Sequence, residues 1–188
     1  MFRRYLFLQS FLFVLVSSCL GSSAIRMSLE QLVKGSTHVF YGHVRDLRIT
    51  RVDNRTYTEV KIDVLSSLKE KPFEDSSVTL LVPGGTINGI SHIMIGAPNF
   101  EKGEEIVVFV KQEKVQNLVE RTRFRLVGLA QSKFKVTSRS DGKKVAISAA
   151  SNSHLALLPD KNGEITPLGG LNGIDLDELF REIINIRN

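Results

Sequence analysis

Residues 57–65 restrict the fold more than any other stretch of the chain. Tyr57-Thr58-Glu59-Val60-Lys61-Ile62-Asp63-Val64-Leu65 alternates with period two. Thr58, Val60, Ile62 and Val64 fall on one side, and Glu59, Lys61 and Asp63 on the other. That is a strand with one face on a core and one face in water. Neighbouring segments read the same way. Val39 to Ile49 is β-branched and aromatic, but its apolar parity slips between Val44 and Leu47, as a bulge or bend near Gly42 would cause. Val52-Asp53-Asn54-Arg55 is a turn, so these two strands form a hairpin. Val78 to Val82 is another strand, ending at Pro83-Gly84-Gly85, and residues 84–103 form a long glycine-bearing connection. Ile106 to Val110 is continuously apolar, which predicts a central strand buried on both faces. Arg121 to Leu129, Lys133 to Thr137 and Lys143 to Ser148 are three more strands, the last two joined across Ser140-Asp141-Gly142.

Two helices flank the strands. Ser28 is a predicted N-cap, with Gln31 three residues on and Gly35 as the stop. After the flexible Gly169 to Gly173 link, Asp175 caps a second helix. Its apolar Leu176, Leu179, Phe180, Ile183 and Ile184 make one stripe suited to packing on a sheet. The chain has no internal repeat, and its mean hydropathy near zero is expected to exclude an integral membrane protein. The expectation is a mainly β domain over residues 28–168 with a C-terminal helix at 174–187 packed on it.

The N-terminus addresses the compartment. Arg3 and Arg4 precede an apolar run from Tyr5 to Val16, interrupted only by Gln9 and Ser10. A bilayer-spanning helix needs ~20 apolar residues, so this run suits the core of a removable signal peptide over residues 1–18. Two cleavage sites compete. Val16-Ser17-Ser18-Cys19 resembles the bacterial lipobox, which would leave a lipid-modified Cys19 and a spacer over 19–27. Ser22-Ser23-Ala24 fits an ordinary signal peptidase, which would cut after residue 24. Cys19 is the sole cysteine, and a lone thiol has no disulfide partner in an oxidising compartment, whereas a lipid gives it a role. By resemblance to lipoproteins of two-membrane bacteria, Leu20 after the cysteine allows passage to the outer membrane or cell surface. The ordinary site implies a periplasmic or secreted protein instead.

The order of a short helix, a long bent strand with a glycine, an alternating second strand and a Val-rich third resembles a small Greek-key barrel of the oligonucleotide/oligosaccharide-binding (OB-like) type. More narrowly, Val39-Phe40-Tyr41-Gly42-His43-Val44 and Val60-Lys61-Ile62-Asp63-Val64-Leu65 with Leu68-Lys69 resemble the netrin-like, metalloproteinase-inhibitor version. The resemblance implies a binding or inhibitory module. Those inhibitors chelate a protease zinc through a disulfide-held N-terminal cysteine, and this chain has no disulfide. Val82-Pro83-Gly84-Gly85, Gly96-Ala97-Pro98-Asn99-Phe100-Glu101-Lys102-Gly103-Glu104 and Val127-Gly128-Leu129-Ala130-Gln131-Ser132-Lys133-Phe134 resemble, in that order, a family of bacterial secreted proteins and lipoproteins. That pattern brings no assigned chemistry.

Candidate chemistry is sparse. His38, His43, His92 and His154 show no metal-ligand spacing, so neither metal nor cofactor is expected. Ser91-His92 lacks a nucleophile elbow, and adjacent strand residues point apart, so no enzyme is expected. Gly84-Gly85 lacks the Lys-Ser/Thr of a phosphate loop, although a long loop beside a barrel is a normal binding place. The strongest pattern is basic. Arg121, Arg123, Arg125, Lys133, Lys135, Arg139, Lys143 and Lys144 stand against the single acid Asp141, while removing residues 1–18 lowers the formal charge from +5 to +3. Arg121, Arg123 and Arg125 oppose Phe124 and Leu126, and Lys133 and Lys135 oppose Phe134 and Val136. With the apolar set inward, the cations are expected to face water together. The predicted partners are therefore a membrane, through the lipid, and an acidic polysaccharide or matrix protein, as for an adhesin. Nucleic acid is not expected, since the protein is exported and lacks exposed aromatic interleaving. A netrin-like protease inhibitor, or a structural or chaperone module of the envelope, is the alternative.

Overall fold

A computed structural model describes residues 23–70, 76–113, 123–152, 156–159, 163 and 173–187. The signal-peptide segment, Cys19, Arg121 and His154 lie outside these residues. The mainly β class with two helices holds. The strands are β1 (Ser23–Ile25), β2 (His38–Val52), β3 (Arg55–Lys69), β4 (Ser77–Pro83), β5 (Gly85–Ile87), β6 (Ile90–His92), β7 (Glu105–Glu113), β8 (Arg123–Leu126), β9 (Lys133–Ser138), β10 (Lys144–Ser148), β11 (Ala156–Leu158) and β12 (Ile174–Asp175). The helices are α1 (Leu29–Gly35) and α2 (Leu176–Arg187).

Strand β2 pairs antiparallel with β3 around a tight turn, where Asp53 and Asn54 take φ of 49° and 60°. Asx side chains tolerate this left-handed pair, which a two-residue hairpin of the primed type demands. The predicted bend is present as three register shifts, at Val39/Phe40, Tyr41/Gly42 and Val44/Asp46. At the middle one the strands approach so closely that a Cβ on Gly42 would strike the Asp63 carbonyl oxygen.

Five strands pair in a cycle, β7–β2–β3–β4–β8–β7, with β4–β8 the one parallel contact. The eight-stranded sheet as a whole does not close. β9 uses the same edge of β7 as β8, further toward its start, and leads out through β10 to a free end at β12. β7 is the hub, and its alternation explains why Ile106 to Val110 is apolar without a break. Ile106, Val108 and Val110 join Phe40, Val60, Ile62, Leu80 and Phe124 inside the cycle. Val107 and Phe109 turn the other way, toward Leu32, Val33, Phe134, Leu179 and Ile183 beneath the helices. Each such side chain contributes about 1.5–3 kcal/mol of transfer free energy before entropy is counted.

The helices form as their caps dictate. Ser28 and Gln31 make a reciprocal capping box, with Ser28 N–H donating to Gln31 Oε1 at 2.8 Å and Gln31 N–H to Ser28 Oγ at 3.2 Å. Asp175 Oδ1 accepts from the backbone of Asp177 and Glu178 at 3.0 and 3.3 Å. Arg187 then ties the end of α2 to the Leu68 carbonyl at 3.1 Å.

Two expectations need correction. The strand predicted from Arg121 to Leu129 stops at Leu126. A 3₁₀ turn, Leu129–Ser132, follows, entered with Leu129 at φ 53°. The 84–103 connection is not wholly irregular, because β5 and β6 form a small hairpin over Asn88 (φ 51°) and Gly89 (φ 78°). The Asn-Gly pair between Ile87 and Ile90 was the available signal for that turn.

Candidate functional site

Among the described residues, Arg123 and Arg125 do not share with Lys133 and Lys135 the single basic face that spacing predicts. Across β7, Arg123 sits opposite Glu113 and Arg125 opposite Lys111, whereas Lys133 sits opposite Val108 and Lys135 opposite Ile106. Directly opposed residues share a sheet face, and neighbours along β7 alternate. The arginines and the lysines therefore lie on opposite faces of the sheet. The 3₁₀ turn between β8 and β9 resets the parity that sequence spacing assumes. The cations are also locally neutralised. Arg123 pairs with Glu59 at 3.5 Å, Arg125 with Glu113 at 2.6 Å, Lys135 with Glu101 at 3.5 Å and Lys144 with Glu105 at 2.7 Å. Arg125 also lies over the Tyr57 ring, 5.4 Å from its centroid. Lys143 is exposed at the β9–β10 turn.

Lys133 is buried rather than solvent-facing. Its side chain is 5% exposed and that of its partner Glu104 is 3% exposed. The ammonium donates to both Glu104 carboxylate oxygens at 2.7 Å and to the Asn99 carbonyl, and it sits 4.4 Å from the Phe100 ring centroid. Glu104 Oε2 also accepts the Glu101 N–H at 3.1 Å. Burial lowers the Lys133 pKa, opposed by the bond to Glu104. This pair is an internal clasp: it pins residues 99–104 against β9. A lone Lys in a strand next to an apolar residue carries no sequence mark of burial, since its acid lies 29 residues upstream.

A second ion cluster closes the far side of β9–β10. Lys144 and Tyr41 both bond Glu105. Burial pushes the Glu105 carboxyl up, but the two hydrogen bonds together hold it below its ordinary value. Tyr41 is raised by burial and by that same bond, and Lys144 is raised by Glu105.

The clasped loop shapes the concave surface. One cleft of about 540 Å³ runs between Gly84-Gly85, Thr86, Ser91, Met94 and Asn99. A second, of about 420 Å³, lies between Ile93, Ile95, Lys135 and Ile147. Gly84 and Gly85 take φ of 105° and 136°, and a Cβ on Gly84 would come within 2.8 Å of the His92 carbonyl oxygen. Gly84 thus serves close backbone approach, and Gly85 makes room for the Ile49 and Thr58 side chains. Ser91 Oγ lies 2.9 Å from Thr86 Oγ1, and among the described residues Ser91 shares no hydrogen bond with His92. His38 is packed on Phe40 and edge-on to Phe124, and burial lowers its pKa. No group of three or more His, Cys, Asp or Glu among the described residues is placed to hold a metal ion.

The N-terminal segment is integrated into the domain. β1 runs parallel to β11, with Ser23 opposite Ala156 and Ala24 opposite Leu157. Arg26 N–H donates to the Leu158 carbonyl at 3.1 Å, and Gln131 holds both the Met27 N–H (2.8 Å) and the Ile25 carbonyl (3.2 Å). No helix among the described residues is long and apolar enough to cross a membrane. No family model, curated protein or solved structure matches the chain.

Proposed function

We propose that this chain is an exported envelope lipoprotein, anchored at Cys19, whose β domain is a non-catalytic binding module. One observation carries the anchoring half: β1 is built from Ser23, Ala24 and Ile25. Cleavage after Ala24 would remove two of its three residues and their pairing with Ala156 and Leu157. Cleavage before Cys19 keeps the strand whole. The cyclic order of β7, β2, β3, β4 and β8, with one parallel pair, supports the small-barrel type that oligosaccharide-binding and netrin-like modules share, and a lipidated Cys19, which would block a zinc-chelating terminus, favours the former.

The cleft beside Gly84-Gly85, whose one carboxylate Glu101 is paired with Lys135, is the better-supported ligand site. Its polar groups are hydroxyls, the Asn99 amide, the His92 ring, backbone and the Glu101 carboxylate, which Lys135 already holds, so it suits an uncharged oligosaccharide or an extended peptide. An acidic polysaccharide or matrix ligand would have to compete with the carboxylates that Arg123, Arg125, Lys135 and Lys144 already hold. Mass spectrometry of the mature N-terminus tests the anchor: an acylated Cys19 is expected, and a mature chain starting at Ile25 refutes it. A glycan and matrix-protein panel at two salt concentrations tests the module. Salt-insensitive binding lost in Ser91→Trp, with folding intact, is expected. Steeply salt-dependent binding that survives Ser91→Trp would return the site to the cations.

A further inference from the structure

Four large apolar side chains crowd one short loop. Ile90, Ile93, Met94 and Ile95 are 63%, 86%, 50% and 49% exposed. Single apolar side chains on a surface need no explanation, but a cluster does. No Asp, Glu, Lys or Arg occurs from Ser76 to Phe100, so the loop has no charge of its own to keep it in water. At its border stand one acid and one base, Glu101 and Lys135, already 3.5 Å apart.

The loop and the N-terminal strand hang on the same turn. Ala130 N–H donates to the Gly96 carbonyl at 2.8 Å, and the next residue, Gln131, grips Ile25 and Met27. Ile25 and Leu158 on the β1–β11 ribbon are exposed as well.

We propose that residues 90–95 seat in the bilayer surface that carries the Cys19 lipid, so that the domain docks by this edge instead of swinging on a free tether, with the Gly84-Gly85 cleft, whose wall includes Ile93 and Met94, opening at that surface. The inference rests on anchoring at Cys19. Four residue spacings separate Cys19 from Ser23, a reach of at most ~14 Å. Because β1 is hydrogen-bonded to the domain, Ser23 stays within that reach of the membrane, and the loop hangs from the same 129–132 turn that grips Ile25 and Met27. A tether also raises the local concentration of the loop at the bilayer, so an insertion too weak to hold a free protein suffices here.

Trp is absent from the chain, so a single introduced Trp is a clean depth probe. Ile93→Trp reports on the loop. Ile184→Trp on α2 is the control, because Phe134, Val136 and Ala146 face the helices while Lys135 and Ile147 face the loop. The chain beginning at Cys19 is coupled through its lone thiol to a maleimide lipid, in phosphatidylethanolamine–phosphatidylglycerol vesicles with brominated acyl chains. This fixes the tether whether or not the cell lipidates Cys19, and mass spectrometry of the native chain judges that point separately. The Ile93→Trp emission should shift to the blue and fall at least about twofold, as for a ring roughly 5–10 Å into the headgroup boundary, with Ile184→Trp unchanged. Equal quenching at the two positions overturns docking even if native Cys19 is acylated. Shielding of Ile93→Trp without vesicles, together with a dimer in sedimentation, assigns the loop to a second copy and also overturns it. Selective quenching beside an unacylated native N-terminus upholds the loop's affinity for bilayers and refutes the anchor alone.

Discussion

Replacing Lys133 with Met keeps most of the stem volume and removes only the cation. Glu104, 3% exposed, then keeps one hydrogen-bond donor, the Glu101 N–H, and the half-exposed Lys135 ammonium 4.0 Å away, in place of the ammonium that met both its oxygens. Stranding a buried charge in this way costs about 3–5 kcal/mol, far more than the net worth of the intact pair. For a domain of this size that is a fall in Tm of roughly 6–20 °C. Lys133→Met/Glu104→Met leaves no charge to solvate and should regain most of the loss. The alternative response is local. The 99–104 loop can open and hydrate the carboxylate, which caps the global loss at the cost of releasing the loop. Urea unfolding with an unchanged m-value distinguishes the first response, and hydrogen exchange the second. The Gly103 and Glu104 amides, bonded to the Val44 and Glu101 carbonyls, would then lose protection. If Lys133→Met costs under about 1 kcal/mol while those amides stay protected, the pair is not a clasp and the reasoning is wrong.

Gly42→Ala should destabilise severely or prevent folding, because the new methyl meets the Asp63 carbonyl across the bulged β2–β3 pair and backbone cannot give way cheaply; circular dichroism melting checks this. Ile183→Ala, at a fully buried site between α2 and the outer core, should cost about 2–5 kcal/mol in urea unfolding, and an unchanged midpoint would show that α2 is not part of the fold. The Glu105 carboxyl is held below its ordinary value by Lys144 and Tyr41. Its stabilising contribution is present above the unfolded carboxylate pKa and is lost as pH falls through the lower folded value. The acid limb of the stability–pH curve should therefore flatten in Lys144→Met relative to wild type, and an unaltered limb would contradict the assignment.

Local signals specified the elements well, and they did so where one short-range rule sufficed. The alternation at Thr58, Val60, Ile62 and Val64, the capping box of Ser28 and Gln31, the unbroken apolar run of β7 and the α2 stripe each encode burial through their own periodicity. The Asn88-Gly89 hairpin obeys the same kind of rule, although it lies inside the glycine-bearing stretch whose spacing predicts one long connection. What sequence spacing could not decide was which cations share a face. Parity is a property of an uninterrupted strand, and the 3₁₀ turn at Leu129–Ser132 cancels it, placing Arg123 and Arg125 on one face of the sheet and Lys133 and Lys135 on the other. Nor could it show that Lys133 is buried, because its partner Glu104 arrives from a distant loop across β7. Those outcomes depend on strand pairing and on long-range charge compensation, which only the tertiary structure brings into contact. The same holds for β1: Ser23 and Ala24 read as a cleavage site in isolation, and only their pairing with β11 makes them part of the domain.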